Sequence, residues 1–297
     1  IKVLDNFIPE LYIKGKNLLS IRNELFYHGI ISFFVKKKQF YDGNEIYVLK
    51  IPVYHLRDYT YLKKKIESIF NYAVELYNAD MKLEELYLFH KNLFPTACVE
   101  VEIKGDTLLS LRCIEDPAII DYDIPAFVIC EIKVSTEEDI TRNFNTPIKN
   151  IKFNKEILEG DEKTQLLEFK KQFEQLDPDI IWTEVGNNYI PYLKRRFDYY
   201  GITFHFNRFE PDDFEYKGGE VYHTYGNVIY RTNSVFLKGR LHFDRASFFA
   251  DDTGFYGIIE GSRVCRQRIQ RTEMRSAGAG VTNLLLYESF KQNFLLP

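Results

Sequence analysis

The sequence predicts an α/β (α+β) chain in two parts: a mixed N-terminal domain, then an α/β domain built on a mixed sheet. Three observations carry that expectation. In the first third, β-rich runs meet at hairpin turns and flank one long apolar stripe of helical period. From Phe127 onward, short strand-like runs alternate with amphipathic helical segments, as a mixed-sheet α/β domain requires. Between them lies Glu115–Pro125, an acidic stretch holding Pro117 and Pro125. It sets a boundary, with residues 1–120 on one side and 121–297 on the other.

The elements follow in order. Gly29–Val35 and Glu45–Val53 flank Tyr41-Asp42-Gly43-Asn44, a hairpin signal. Lys36-Lys37-Lys38 sits at that hairpin, where lysines protect an edge strand. Tyr61–Tyr77 puts Leu62, Ile66, Ile69, Phe70, Ala73 and Leu76 on one helical face. Ala97–Ile103 and Thr107–Arg112 flank Lys104-Gly105-Asp106 as a second hairpin. Phe127–Val134 begins as a strand buried on both faces and becomes alternating at Glu131-Ile132-Lys133-Val134. Glu131 and Lys133 therefore share a face. Thr164–Leu176 is an amphipathic helix with Leu166, Leu167, Phe169, Phe173 and Leu176 inward, followed by Pro178. Ile180–Thr183 is a short strand. Tyr189–Tyr200 is a helix, with Asn187 or Asn188 as N-cap and Gly201 at the C-terminal cap position. Glu220–Tyr225 and Val228–Thr232 form a hairpin around Gly226-Asn227. Ser234–Phe243 is a strand pair or one long strand ending at Asp244, and Gly254–Arg263 and Val281–Asn293 are helices.

Composition narrows the function classes. With 297 residues, 45% hydrophobic and 28% charged, the chain can bury a core and remain soluble. A net charge of −4 argues against a whole-surface polyanion binder but permits a local basic patch. Apolar runs such as Phe127–Cys130 are too short to span a membrane, and no signal peptide is visible. Cys98, Cys113, Cys130 and Cys265 have no metal-ligand spacing and read as reduced thiols of a cytoplasmic protein. Ile1 in place of Met suggests a removed tag or a piece of something longer.

Leu76-Tyr77-Asn78-Ala79-Asp80-Met81-Lys82-Leu83, followed by Tyr87-Leu88 and Leu93-Phe94-Pro95, is the first of four stretches in register, and it resembles the N-terminal region of family B DNA polymerases of the archaeal type. Asp177-Pro178-Asp179-Ile180-Ile181 and then Pro191-Tyr192-Leu193 resembles the second exonuclease motif region. Gly239-Arg240-Leu241-His242-Phe243-Asp244 resembles the strand before the third motif, and Ser262 through Gly278, ending Leu295-Leu296-Pro297, resembles the segment leading into the palm. The resemblance implies an N-terminal polymerase domain plus an RNase H-like 3′→5′ exonuclease domain, in a nucleoid-associated prokaryotic protein. It also implies DNA as partner, as template-primer or single strand, together with palm and fingers domains of the same polymerase. The palm motifs S-L-Y-P and D-T-D do not occur, so these residues alone are not expected to polymerise.

The family's exonuclease holds two divalent metals with four carboxylates, because one metal activates water and the other stabilises the leaving oxygen. Here the first motif, D-I-E in the family, reads Glu131-Ile132-Lys133, with a fixed positive charge where a dication would bind. The second motif has lost its Asp: Asn187-Asn188-Tyr189-Ile190 precedes Pro191, so a neutral amide is the most it offers. In the third, Tyr256 and Glu260 keep the i, i+4 spacing of Y-x-x-x-D, a spacing also common by chance on a helix face. Asp244 and Asp251-Asp252 are nearby carboxylates, the latter pair reading as a turn or helix cap. The expectation is a catalytically silent exonuclease fold with no cofactor. An active, metal-dependent exonuclease would instead need Mg2+ or Mn2+ on Glu131, Asp244 and Glu260.

Arg263, Arg266, Arg268, Arg271 and Arg275 fall within thirteen residues, opposed only by Glu273. Such a patch suits DNA phosphates, or it is a basic face paired with acidic neighbours. Lys194-Arg195-Arg196 reads as the charged face of a helix. Three functions stay open: a DNA-guiding portion of a polymerase with a silent exonuclease, a working exonuclease with rearranged carboxylates, and an interaction module that does not touch DNA.

Overall fold

The computed structural model describes residues 4–209, 215–217, 219–224, 227–231, 233–274 and 277–296. The chain divides into two compact units. One comprises Ile1–Asp121, Gly261–Arg268 and Gly278–Pro297; the other comprises Tyr122–Glu260 and Ile269–Ala277.

The first unit opens with β1 (Glu10–Lys14), α1 (Leu18–Tyr27), β2 (Phe33–Lys38) and β3 (Glu45–Pro52). It continues through α2 (Tyr59–Ile69), β4 (Glu75–Tyr77), α3 (Leu83–His90), β5 (Val99–Lys104) and β6 (Thr107–Cys113). An antiparallel sheet runs β2-β3-β1-β4, and β5 and β6 form a separate hairpin. The lysine run lies on β2, which is an edge strand of that sheet. The sequence suggested one helix over Tyr61–Tyr77, but α2 stops at Ile69. Asn71 and Tyr72 then adopt positive φ of 46° and 60°, which breaks the helix. The apolar residues beyond the break serve the sheet instead, with Leu76 opposite Ile13. Burial of Leu11, Ile13, Leu25, Leu49, Ile66, Leu86 and Phe89 makes the core.

The second unit begins with β7 (Ile129–Thr136), β8 (Ile148–Phe153), β9 (Glu156–Ile157), α4 (Glu162–Leu176), β10 (Ile180–Thr183) and α5 (Gly186–Tyr199). It then runs through β11 (Glu215–Lys217), β12 (Glu220–Thr224), β13 (Asn227–Arg231), β14 (Ser234–Phe236), β15 (Leu241–Asp244), α6 (Phe248–Val264) and α7 (Ile269–Glu273). The last helix, α8 (Ala277–Lys291), contributes Tyr287 to the core of the first unit, as does Leu296 beyond it. The central sheet, β15-β10-β7-β8-β9, is mixed: β15, β10 and β7 are parallel, and β8 and β9 are antiparallel. The expected mixed α/β character is thus present.

Alternation places Cys130, Ile132 and Val134 of β7 in a core with Leu166, Phe169 and Phe173 of α4 and Ile190, Leu193 and Phe197 of α5. Leu167, expected to point inward, is 48% exposed. Across the sheet, Ile180, Phe243 and Ala250 pack with Ile258 of α6. Asp161 caps α4, its side chain accepting from the Thr164 N–H at 2.9 Å. Edge strand β15 is closed by α7: the Glu273 carboxyl accepts the Asp244 N–H at 3.0 Å.

Candidate functional site

The middle of β7 and the carboxyl ends of β10 and β15 form the cleft toward which the motif residues were expected to converge. Register decides which of them meet. Trp182 lies beside Glu131 and Phe243, so these three side chains share one face; Thr183 lies beside Ile132 and Asp244 on the other. Glu131 and Lys133 do share a face, since Cys130, Ile132 and Val134 are buried opposite them.

Each member of the first motif is held by an opposite charge. Glu131 forms an ion pair with Arg245, the residue after β15. Lys133 pairs with Glu184, the residue after β10, at 2.7 Å. The hydrogen bond from Lys133 holds the Glu184 carboxyl below its ordinary pKa. Lys152 of β8 stands directly opposite Lys133 in the antiparallel register and lines the same cavity, of about 140 Å3. The cavity thus carries Lys133, Lys152 and Arg245 against Glu131 and Glu184, an excess of one positive charge. Sequence reasoning singled out neither Arg245 nor Glu184; each directly follows a strand end, a position that could have flagged it.

Asp244 belongs elsewhere. It lies on the face opposite Glu131, and its carboxylate accepts the Asn187 N–H at 2.9 Å and the Ala246 N–H at 3.0 Å. Burial pushes its pKa up, against these backbone donors and that of Gly186. Asp244 thus serves the N-terminus of α5, a favourable place for a negative group. The set Glu131, Asp244 and Glu260 is not assembled.

Neither asparagine caps α5, whose N-cap is Val185. Asn187 is buried and accepts the Val235 N–H at 2.9 Å, while the Asn188 side-chain oxygen accepts from Asn233 at 2.6 Å. These amides tie the helix start to the segment entering β14, a role that needs no charge. Gly186 is required beside them: a Cβ there would stand 2.0 Å from Thr183 Oγ1 and 2.5 Å from His242 Nε2. Gly186→Ala is expected to lower the unfolding free energy by about 1–3 kcal/mol, read from urea denaturation at unchanged m-value.

Tyr256 and Glu260 lie on α6 beyond a kink at Gly254, where φ is +64°. Tyr256 is 73% exposed, and neither residue lines the cavity beside Glu131. Asp251 and Asp252 are exposed near the start of α6 rather than in a turn. Among the described residues, no three His, Cys, Asp or Glu side chains are grouped to hold a metal ion. A magnesium or manganese pair does not fit the donor set at the cleft, because both carboxylates are matched by cations.

The basic cluster is also rearranged by folding. Arg263 is fully buried in the first unit, 3.0 Å from Glu115 and over the Phe94 ring. Arg266 is buried, donates to the Leu93 carbonyl at 2.8 Å and stacks 3.8 Å over Tyr287. These two guanidiniums hold the unit together instead of facing phosphate, which corrects the expectation of a DNA-facing patch at those positions. Arg268 is partly exposed, 3.5 Å from Glu84, and Arg271 is half-buried on α7. Arg275 lies outside the described residues. Arg196, expected on a charged helix face, is buried against Glu162.

The comparisons with known proteins agree in direction. No family model matches the chain. It is 26% identical over 225 residues to a DNA polymerase of Thermococcus litoralis, covering 71% of this chain and 11% of that protein. It is 26% identical over 211 residues to a DNA polymerase of Thermococcus gorgonarius, covering 71% of this chain and 24% of that one. The family B DNA polymerase of the hyperthermophilic archaeon Pyrobaculum calidifontis superposes with a TM-score of 0.69 at 17% identity, over 99% of this chain and 47% of the other. The chain thus spans less than half the length of each. No helix among the described residues is long and apolar enough to cross a membrane. The chain is thus distantly related to two DNA polymerases over about 71% of its length, and it carries the fold of part of a family B DNA polymerase.

Proposed function

We propose that this chain is the N-terminal and exonuclease-like portion of a family B DNA polymerase, contacting DNA without cleaving it. In this reading residues 1–120, completed by Gly261–Arg268 and Gly278–Pro297, are the N-terminal domain, and the rest of 121–297 carries an RNase H-like exonuclease domain whose catalytic centre is silent. The observation that carries it is the charge pairing at the strand ends: Glu131 with Arg245, Lys133 with Glu184. A dication entering there meets Lys133, Lys152 and Arg245, and its carboxylate ligands are already neutralised. DNA enters the reading through the homologous polymerases.

A labelled single strand incubated with the protein and Mg2+ or Mn2+ is expected to keep its 3′ nucleotides. Metal-dependent shortening that Glu131→Ala abolishes would refute the proposal. The burial of Arg263 and Arg266 favours a second reading for the first unit, an interaction module that does not contact DNA. Loss of partner-domain binding, with unchanged DNA affinity, on disrupting that unit would select it.

A further inference from the structure

Across β8, β7, β10 and β15, one row of side chains runs Lys152, Lys133, Glu184 and Arg245. Lys152 faces Lys133 in the antiparallel register. Lys133 lies one position beyond the Ile132–Thr183 pair and Arg245 one beyond Asp244, on the Glu131 face. Like charges directly opposite on neighbouring strands destabilise a sheet. Glu184 answers Lys133, and Glu131 answers Arg245. Among the described residues Lys152 makes no ion pair of its own, and it shares Glu184 electrostatically with Lys133, so the row keeps an excess of one positive charge. A second cavity, of about 230 Å3, shares Lys133 and Glu184 with the first and is lined by Val134, Val185, Tyr189 and Ile190. A charged cleft thus adjoins an apolar ledge with one aromatic ring.

We propose that this cleft is a metal-independent oxyanion site that takes the phosphate of a nucleotide or strand end. Lys152 and Lys133 contact the phosphate, Arg245 closes the far side, and the base rests by Tyr189. Polarity is reversed relative to a metal centre: the cleft attracts the phosphate itself, and a dication is repelled. The anion relieves the Lys133–Lys152 repulsion, and Glu131 and Glu184 hold the cations in place without neutralising the row. The choice of a nucleic-acid phosphate rests on the proposed function; the oxyanion site rests on the charge row alone.

Trp182, the only tryptophan in the chain, lines the cavity, so its fluorescence reports occupancy. Titrations use inorganic phosphate and, separately, a short single-stranded oligonucleotide ending in a phosphate, both in EDTA. Both are expected to shift the fluorescence. Lys152→Glu should weaken each by about tenfold, and Lys152→Arg should restore binding. Lys152 is exposed, so its variants are expected to fold, which their thermal unfolding checks. Equal affinity in wild type and Lys152→Glu, binding that EDTA abolishes, or no response to either ligand overturns the site. A response to phosphate but none to the oligonucleotide keeps the oxyanion site and overturns the strand as its ligand. Absence of nuclease activity has no bearing on these outcomes, so this site and the silent exonuclease fail separately.

Discussion

Replacing Glu162 with Ala is expected to lower the unfolding free energy by about 3–5 kcal/mol, because it strands the charge of Arg196 in the interior. The two side chains are 8% and 6% exposed and meet through two hydrogen bonds, Nε to Oε1 at 2.6 Å and Nη2 to Oε2 at 2.5 Å. The carboxylate also accepts the Ile148 N–H at 3.0 Å and the Tyr200 hydroxyl at 2.9 Å. Burial alone would raise the Glu162 pKa, but these donors, led by Arg196, hold it below the ordinary value. One residue therefore joins the start of α4, the start of β8 and the end of α5. Arg196→Met should cost less than Glu162→Ala, since it leaves a carboxyl that can take up a proton. The double variant Glu162→Ala/Arg196→Met should cost less than the sum of the two single effects, because neither partner is left behind as a stranded charge. Urea denaturation of the single and double variants measures this coupling directly. Strict additivity of the two single effects would refute it.

Stability is expected to fall as pH rises from about 6.5 to 8, and Glu273→Gln should flatten that fall. Burial raises the Glu273 pKa from 4.5 to about 8; the nearby Asp244 charge adds to the rise, and hydrogen bonds from Ser247 and the Asp244 N–H oppose it. The unfolded chain gives up this proton near 4.5, whereas the folded chain keeps it until about 8. In that interval the folded state binds more protons, so raising pH favours unfolding, with a limiting slope of about 1.4 kcal/mol per pH unit. His242 acts in the opposite sense. Its burial lowers its pKa from 6.5 to about 4, so its contribution to stability grows with pH up to 6.5. The two slopes oppose each other at lower pH, and above 6.5 His242 no longer offsets Glu273; Asp244, whose pKa burial also raises, acts with the same sign as Glu273. Gln can still accept the Asp244 N–H, so the variant keeps the edge of β15 closed. Unfolding free energies across pH 6.5–8 that fall equally in both proteins would assign the slope to another group.

Much of the second unit was legible because its cues are local. Alternation at Glu131-Ile132-Lys133-Val134 placed both charged residues on one face, and the run Ile180–Thr183 is a strand with those bounds. What escaped depends on distant partners. Arg196 looks like one of three basic residues on a helix until Glu162, 34 positions earlier, is folded against it. Arg263 looks like the start of a phosphate-binding run until Glu115, 148 positions earlier, meets it. Asp244 carries a carboxylate in a suggestive place, but strand register turns it to the opposite face from Glu131. The end of α2 was missed for a related reason: an apolar period of 3.6 continues through residues that later pair as a strand, and side-chain polarity alone does not mark the two left-handed residues between them.

The path of the chain between the two units limits how it can be divided. Residues 1–121 make up most of the first unit, yet Tyr287 and Leu296 from the far end help fill its core. Likewise, α7 completes the second unit after the chain has already given Gly261–Arg268 to the first. A single cut in the stretch around Asp121 therefore does not free a finished first unit, and it leaves pieces of that unit attached to the second. Exchange with a relative by one crossover there would leave the second unit whole but make the core of the first a hybrid, filled in part by side chains encoded more than a hundred codons away.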